Sequence, residues 1–111
     1  LEPNHAEFDE VIWPALARRS PNFEAIRVQR FWAGLYDLNS FDHNVIVGPH
    51  DQIGNFLFAN GFSSHGLQQS PAIGRGLAEW IAHGSYRSLD LTPLGFDRIR
   101  SGQAYPEANV I

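Results

Sequence analysis

The residues best suited to binding a ligand lie in one glycine- and serine-rich stretch between a predicted strand and a predicted helix. The apolar run at 56–59 is short enough for a buried strand, and a loop reading NGFSSHG follows at 60–66. Ser70 and Pro71 are typical of a helix start, with serine as N-cap and proline at the first helical position. Such a unit presents free main-chain N–H groups and the positive end of a helix dipole. The stretch therefore indicates either a cradle for an anion or cofactor, or a turn that needs glycine for steric reasons.

Nucleotide-binding and metal-binding motifs do not match the spacing. Gly61 and Gly66 lack the GxGxxG spacing of a dinucleotide site, and no Gly-Lys-Ser/Thr of a P-loop follows them. The chain has five histidines, His5, His43, His50, His65 and His83. His43 and His50 are seven apart across a loop and match no compact zinc motif. We therefore predict no metal site.

A serine hydrolase is also disfavoured. Its nucleophile would be Ser63 or Ser64, its base His65 and its acid Asp51, and there is no GxSxG elbow. Because adjacent serine and histidine in a loop do not normally face each other, His65 is better explained as a hydrogen-bonding residue that fixes the loop. The sequence identifies no catalytic residue.

Composition limits the classes of protein that the chain can represent. At 111 residues it is one small domain or a piece of a larger protein, and the absence of methionine favours a piece. A net charge of −4 gives no basic surface for nucleic acid or an anionic membrane. No apolar run approaches the roughly 20 residues of a spanning helix. With no cysteine, disulfides and thiolate metal sites are excluded.

Two helices can be predicted from apolar periodicity. The first runs over about 5–18, with Pro14 expected to kink or interrupt it near Trp13. The second follows Pro71 and ends at Gly84. Its apolar stripe consists of Ile73, Leu77, Trp80 and Ile81, and Gly74 and Ala78 beside it would allow another backbone to come close.

Three strands complete an α+β order. The two-residue alternation over 23–36 predicts the longest strand, and 45–47 predicts a short buried one that pairs with it as a hairpin. The third strand is 56–59. We expect a short helical turn over 94–99 and a loosely ordered tail beyond Gly102. Three short strands form too small a layer to cover the apolar stripe of the second helix. We therefore expect missing partners or self-association.

Three segments resemble the D-amino-acid oxidase superfamily of FAD-dependent oxidoreductases. They are WAGLYD at 32–37, SFDHNVIVG at 40–48 and GFSSHGLQQSPAIGRGLAEWI at 61–81. The resemblance implies the C-terminal fragment of a two-domain FAD/substrate fold. Residues 1–54 would be part of the substrate domain, 55–84 the flavin-side strand, loop and helix, and 85–111 the C-terminal tail. The missing N-terminal portion, which carries the GxGxxG strand, would be the fragment's main partner.

The resemblance also implies which residues contact the cofactor. The candidates are Gly61, Phe62, Ser63, Ser64, His65, Gly66, Leu67 and Gln68. Sarcosine-oxidising relatives have a lysine aligned with Gln68 and a flavin-linking cysteine aligned near Leu35, so any FAD here would be noncovalent. Several amino-acid oxidases have a substrate-binding arginine near Tyr36. Tyr36 is a weaker substrate candidate, because one hydroxyl replaces a bidentate guanidinium.

The implied activity is transfer of a hydride from the C–N bond of an amine to flavin N5, with the fragment alone inactive and unable to hold FAD firmly. The tail at 88–111 resembles a mitochondrial branch of the superfamily linked to assembly of respiratory complex I. That branch implies a mitochondrial location. It also implies an alternative role, as an assembly or scaffolding factor that binds complex I intermediates and keeps a structural flavin without turnover.

Overall fold

Residues 1–109 are described by the computed structural model, and they form two units, Leu1–Leu35 and a second that begins at Tyr36. Residues 110 and 111, the end of the predicted C-terminal tail, lie outside the described residues. The predicted subdivision into 1–54, 55–84 and 85–111 stays a prediction. Among the helices of residues 1–109, none combines the length and hydrophobicity needed to cross a membrane.

The first unit contains the predicted N-terminal helix, which continues past its proline. It consists of α1 (His5–Glu7), a π-helical turn (Phe8–Ile12) and α2 (Trp13–Arg19). The Trp13 N–H donates to the carbonyl of Phe8, five residues back. A π turn of this kind absorbs the missing N–H and the steric demand of Pro14 without a break. The predicted kink or interruption is therefore replaced by a change of helical register.

The predicted strand over 23–36 is wrong for the described residues. A 3-10 turn covers Pro21–Phe23, and 24–39 has no regular secondary structure. The chain does return to the helix start, where the Phe31 ring lies edge-on to His5 at 4.3 Å between ring centroids. A strand must pair its main-chain groups with a neighbouring strand, and among the described residues only 46–49 and 57–60 pair in this way.

The second unit is built on a hairpin that differs from the predicted one. Strands β1 (Ile46–Pro49) and β2 (Leu57–Asn60) pair antiparallel, with Val47 opposite Ala59 and Gly48 opposite Phe58. The predicted strand at 56–59 is thus confirmed, but it takes the place that was assigned to 23–36. The described residues are a mixture of helices and two antiparallel strands, as an α+β protein requires.

Helix α3 (Gly66–His83) covers the hairpin and completes a small core. The buried apolar residues are Val45, Val47, Ile73 and Leu91. Leu77 packs against this core, but Ile81, predicted on the same stripe, is exposed. The close approach occurs at Gly76 instead of Gly74: a Cβ on Gly76 would come within 2.3 Å of Leu91 Cδ1, whereas one on Gly74 would meet nothing within 4 Å.

The end of α3 and the segment after it are tied together by one carboxylate. Gly84 ends the helix in the left-handed conformation with φ of 68°, as predicted. Glu79 then accepts the Ser88 hydroxyl at 2.7 Å and the N–H groups of Arg87 and Ser88 at 2.8 and 3.0 Å. The Ser88 hydroxyl bond is the largest cause that lowers the pKa of Glu79 to about 2.

A buried ion pair fastens the C-terminal part of the second unit to the segment before β1. Arg98 lies in α4 (Asp97–Ser101), and its guanidinium binds Asp42 through Nε–Oδ2 at 2.6 Å and Nη2–Oδ1 at 3.1 Å. Arg98 also donates to the carbonyls of Leu94, Gly95, Asn44 and Val45. Burial raises the pKa of Asp42, but the Arg98 hydrogen bond and main-chain N–H donors outweigh it and leave the pKa lowered.

The C-terminal tail is more ordered than predicted, because it forms hydrogen bonds to Asp42 of the Arg98–Asp42 pair. The Tyr105 N–H donates to the Asp42 carboxylate at 3.1 Å, and the Glu107 N–H donates to the Asp42 carbonyl at 3.0 Å. The sequence gives no local signal for these bonds, because the partners lie more than 60 residues apart.

Candidate functional site

The loop between β2 and α3 has an unusual backbone. Gly61, Ser63 and Ser64 all have positive φ, at 71°, 50° and 74°. Left-handed conformations are uncommon for residues other than glycine, and they cluster at ligand-binding turns. Two features favour glycine at position 61. One is its positive φ, and the other is that a Cβ there would lie 2.9 Å from the Cβ of Asn39. The loop therefore has a specific shape that the glycine alone does not explain.

Asp37 holds that shape from a distant part of the sequence. Its carboxylate Oδ2 accepts the N–H groups of Gly61 at 2.5 Å and Phe62 at 3.1 Å, and its main-chain carbonyl accepts the N–H of Ser63 at 3.0 Å. Three successive N–H groups of the predicted cradle are thus bound by the protein itself. Asp37 carried no predicted role, because its contact lies 24 residues away and leaves no local pattern.

Ser63 faces the interior of the second unit. It is fully buried, its hydroxyl accepts the Asn39 N–H at 3.1 Å, and the hydroxyl donates to the Gly61 carbonyl at 3.2 Å. Phe62 packs against the hydrophobic core. Of the predicted contact residues, Gly61, Phe62 and Ser63 therefore shape the loop, whichever ligand the loop meets.

The start of α3 supplies the donors that remain. The helix begins at Gly66, one turn earlier than Ser70 and Pro71 predicted. The N–H groups of Ser64, Gly66, Leu67 and Gln68 donate to no acceptor among the described residues. These groups concentrate the positive end of an 18-residue helix at the loop.

Pro71 lies inside the helix, and Ser70 compensates for it. Proline has no N–H to donate to the Leu67 carbonyl four residues back. The Ser70 hydroxyl donates to that carbonyl instead, at 3.0 Å. The predicted N-cap role of Ser70 is therefore wrong.

Three side-chain atoms beside these donors are covered and have no hydrogen-bond partner. They are Ser64 Oγ, His65 Nδ1 and Gln69 Oε1. A buried polar atom without a partner is costly, and it often marks a place where a ligand or water completes the hydrogen bonding. Gln69 was not among the predicted contact residues. The sequence points to it only through its position one helical turn after His65. By contrast, the Leu67 side chain is 90% exposed and Gln68 is also exposed.

Tyr36 lies next to the aspartate that holds this loop. Tyr36 is half-exposed and directly precedes Asp37, whose main chain is bound to Ser63.

The residues considered for a zinc site or a hydrolase have other contacts. His50 Nδ1 accepts the N–H groups of Gln52 and Ile53 at 3.0 and 3.3 Å, in the turn between the strands. Asp51 pairs with Arg100. Within residues 1–109 no three histidine, cysteine or carboxylate side chains come together as a metal site would require.

The second unit also contains an apolar cavity of about 210 Å³, lined by residues that include Val47, Trp80, Tyr86 and Phe96. None of the predicted contact residues lines it. Burial in this region raises the pKa of Tyr86. The cavity and the loop are therefore separate features.

Comparisons with known proteins agree on one family. The family model described as FAD dependent oxidoreductase matches residues 1–80. The chain is 47% identical over 107 residues to FAD-dependent oxidoreductase domain-containing protein 1 of Bos taurus, covering 96% of this chain and 22% of that protein. It is 45% identical to the Xenopus laevis protein of the same name over 111 residues, or 100% of this chain and 22% of that protein.

A shorter match reaches a protein whose name states a reaction. The chain is 41% identical over 44 residues to 4-methylaminobutanoate oxidase (formaldehyde-forming) of Paenarthrobacter nicotinovorans, or 40% of this chain and 5% of that protein. No solved structure matches the chain. The chain spans about a fifth of the length of the full-length curated relatives it matches.

Proposed function

Because the chain belongs to the FAD-dependent oxidoreductase family, we propose that its β2–α3 loop and the start of α3 bind the flavin of FAD noncovalently in the complete protein. The observation that carries this proposal is the set of unused donors at Ser64, Gly66, Leu67 and Gln68. Three buried side-chain atoms without a hydrogen-bond partner, Ser64 Oγ, His65 Nδ1 and Gln69 Oε1, belong to the same stretch of the chain. Such a set fits the polar edge of a flavin, which presents several acceptors and one N–H.

The helix end supplies the electrostatic part of this role. When bound, FAD would accept at its N5 atom a hydride from the carbon of an amine's C–N bond, so that the amine is oxidised to an iminium and the flavin is reduced. The main-chain donors at the start of α3 favour negative charge next to them, by about 0.3–1 kcal/mol and up to ~2 kcal/mol when partly buried. We expect them to make the reduced, anionic state of the cofactor easier to reach. Asp37 and Ser63 would keep the donors in place, and Tyr36 could contact the substrate.

An amine or N-methylated amino acid is the proposed substrate class. The support is the match over 44 residues to an oxidase named for a methylamino acid. Anaerobic stopped-flow mixing of the complete flavoprotein with secondary and N-methylated amino acids tests this proposal. We expect bleaching of the oxidised flavin absorbance by at least one of them. Dithionite serves as the control that reduction can be seen.

A scaffolding role without turnover is the second candidate, and the ion pairs of three arginines in the second unit favour it. Arg75 pairs with Glu79, Arg98 with Asp42, and Arg100 with Asp51 and Asp97. These three guanidinium groups are therefore engaged by carboxylates outside the loop, which leaves them poorly placed to bind a substrate carboxylate there. If no amine reduces the flavin, the proposed role is assembly of respiratory complex I in mitochondria, with FAD as a structural element.

The rest of the polypeptide is the proposed partner of this chain. A purified 1–111 chain should lack stoichiometric FAD and show no oxidase activity, because the ADP half of FAD would bind to the missing portion. It should also self-associate through exposed apolar side chains, among them Trp32 and Leu35. Absorbance at flavin wavelengths and light scattering test both expectations. A yellow monomer would contradict them.

A further inference from the structure

We propose that Asp37 is a positioning residue for the cofactor loop, which it shapes before any cofactor binds. The inference deepens the proposed function, since the benefit of the shape is FAD binding. It concerns an aspartate to which neither the sequence nor the comparisons assign a role.

The contacts of Asp37 are those of an anion bound in a main-chain nest. One carboxylate oxygen accepts two successive N–H groups, from Gly61 and Phe62, and the adjacent carbonyl accepts the next one, from Ser63. Hydrogen bonds to a carboxylate are roughly twice as strong as neutral ones. Successive N–H groups of a left-handed turn form a concave site that anions fill. Here the protein's own side chain fills it.

This arrangement explains how an unfavourable backbone persists. Ser63 and Ser64 have positive φ, which such residues adopt only when the surroundings determine it. Asn39, two residues after Asp37, adds a second attachment through its N–H to the Ser63 hydroxyl at 3.1 Å. The segment from Asp37 to Asn39 is thus a clamp on the loop.

The clamp also selects which donors a ligand can use. Because Asp37 occupies the N–H groups at 61–63, an anionic or acceptor-rich ligand is left with Ser64 and the first residues of α3. Those N–H groups lie at the positive end of the helix. Asp37 therefore directs the ligand toward the helix start and away from the middle of the loop.

The test compares three variants of the complete protein with the wild type. Asp37→Leu removes the carboxylate, Asp37→Asn retains one acceptor oxygen, and Asp97→Asn removes a carboxylate that is 82% exposed and far from the loop in sequence. Hydrogen exchange of the amides at 61–62 is measured without FAD. FAD affinity and the visible circular dichroism of bound flavin are measured separately.

We expect Asp37→Leu to exchange the 61–62 amides about tenfold faster or more, since it loses hydrogen bonds to a charged group. Its FAD affinity should fall about tenfold, and the flavin circular dichroism should change. Asp37→Asn should be intermediate in all three measurements. Asp97→Asn should match the wild type.

Two results overturn the inference. Unchanged exchange in Asp37→Leu would mean that other contacts hold the loop. Faster exchange with unchanged FAD affinity and dichroism would mean that Asp37 is only structural. If wild-type protein holds no FAD, the proposed function fails, and the exchange experiment still decides whether Asp37 shapes the loop.

Discussion

Replacing Arg98 with methionine should destabilise the protein far more than replacing another paired arginine. Both charges of the Arg98–Asp42 pair are hidden, with side-chain exposures of 6% and 0%. Methionine would leave the Asp42 carboxylate buried without its cation and would free four main-chain carbonyls. Breaking a buried pair in this way costs about 3–5 kcal/mol.

The matched control is Arg75→Met. Arg75 also pairs with a carboxylate, at 3.1 Å, but its side chain is 67% exposed. An exposed pair of this kind contributes about 0.3–0.5 kcal/mol. The predicted difference between the two variants is therefore several kcal/mol, for the same loss of one guanidinium.

Urea unfolding of the complete protein, followed by tryptophan fluorescence, provides the measurement. A third variant, Arg98→Met with Asp42→Asn, removes the uncompensated charge and should recover part of the loss. An Arg98→Met cost below about 1 kcal/mol would refute the reasoning. So would a double variant no more stable than Arg98→Met, because the buried charge would then not be the cause.

The Asp42–Arg98 pair should also make the free energy of unfolding decrease at acid pH. The pKa of Asp42 is lowered in the folded protein from its ordinary value of 3.8. Its contribution is therefore complete above that value and is lost as the pH falls through the lower folded pKa. In the double variant, this part of the acid dependence should disappear.

Three further outcomes follow from the helix and its surroundings. Gly76→Ala should be about 1–3 kcal/mol less stable than Gly74→Ala, because both gain helix propensity but only a Cβ at position 76 would crowd Leu91. Gly74→Ala, with open space around it, should gain about 0.5–1 kcal/mol over the wild type, and thermal unfolding compares the two directly. Glu79→Gln should lower stability by a constant amount above pH 4.5, and the difference from wild type should fade as the pH falls toward about 2, which denaturant midpoints over that range would reveal. Gly61→Ala should cost at least about 1 kcal/mol, because alanine disfavours its φ of 71°, and an unchanged melting temperature would contradict this.

Local patterns predicted where the two helices lie, where α3 ends and where the second strand lies, but they did not predict where α3 begins. The periodicity over 5–18, the left-handed stop at Gly84 and the apolar run at 56–59 all depend on neighbours within a few residues, and all three are confirmed. The strand predicted over 23–36 failed because alternation shows that a segment can pair, and does not show that a partner exists.

The loop could be found from its sequence, but its mechanism of support could not. Glycine and serine at 60–66 indicate a special turn, whereas Asp37 and Arg98 act across 24 and 56 residues and have no local signature. The N-cap prediction for Ser70 was wrong because a serine before a proline is compatible with two roles. It can cap the start of a helix, or it can replace the missing N–H donor within a helix. Only the surrounding chain decides between them.

The long separation within the Asp42–Arg98 pair has a consequence for biosynthesis. Arg98 is added to the growing chain 56 residues after Asp42, which at about 5–20 residues per second leaves the aspartate without its cation for roughly 3–11 seconds. Until then the Asp42 carboxylate has no guanidinium partner, and the segment before β1 stays unattached to α4 and exposed to proteases. A premature stop codon ahead of Arg98 would make that exposed state permanent, so such a truncated product should be degraded even though the loop and α3 are fully encoded.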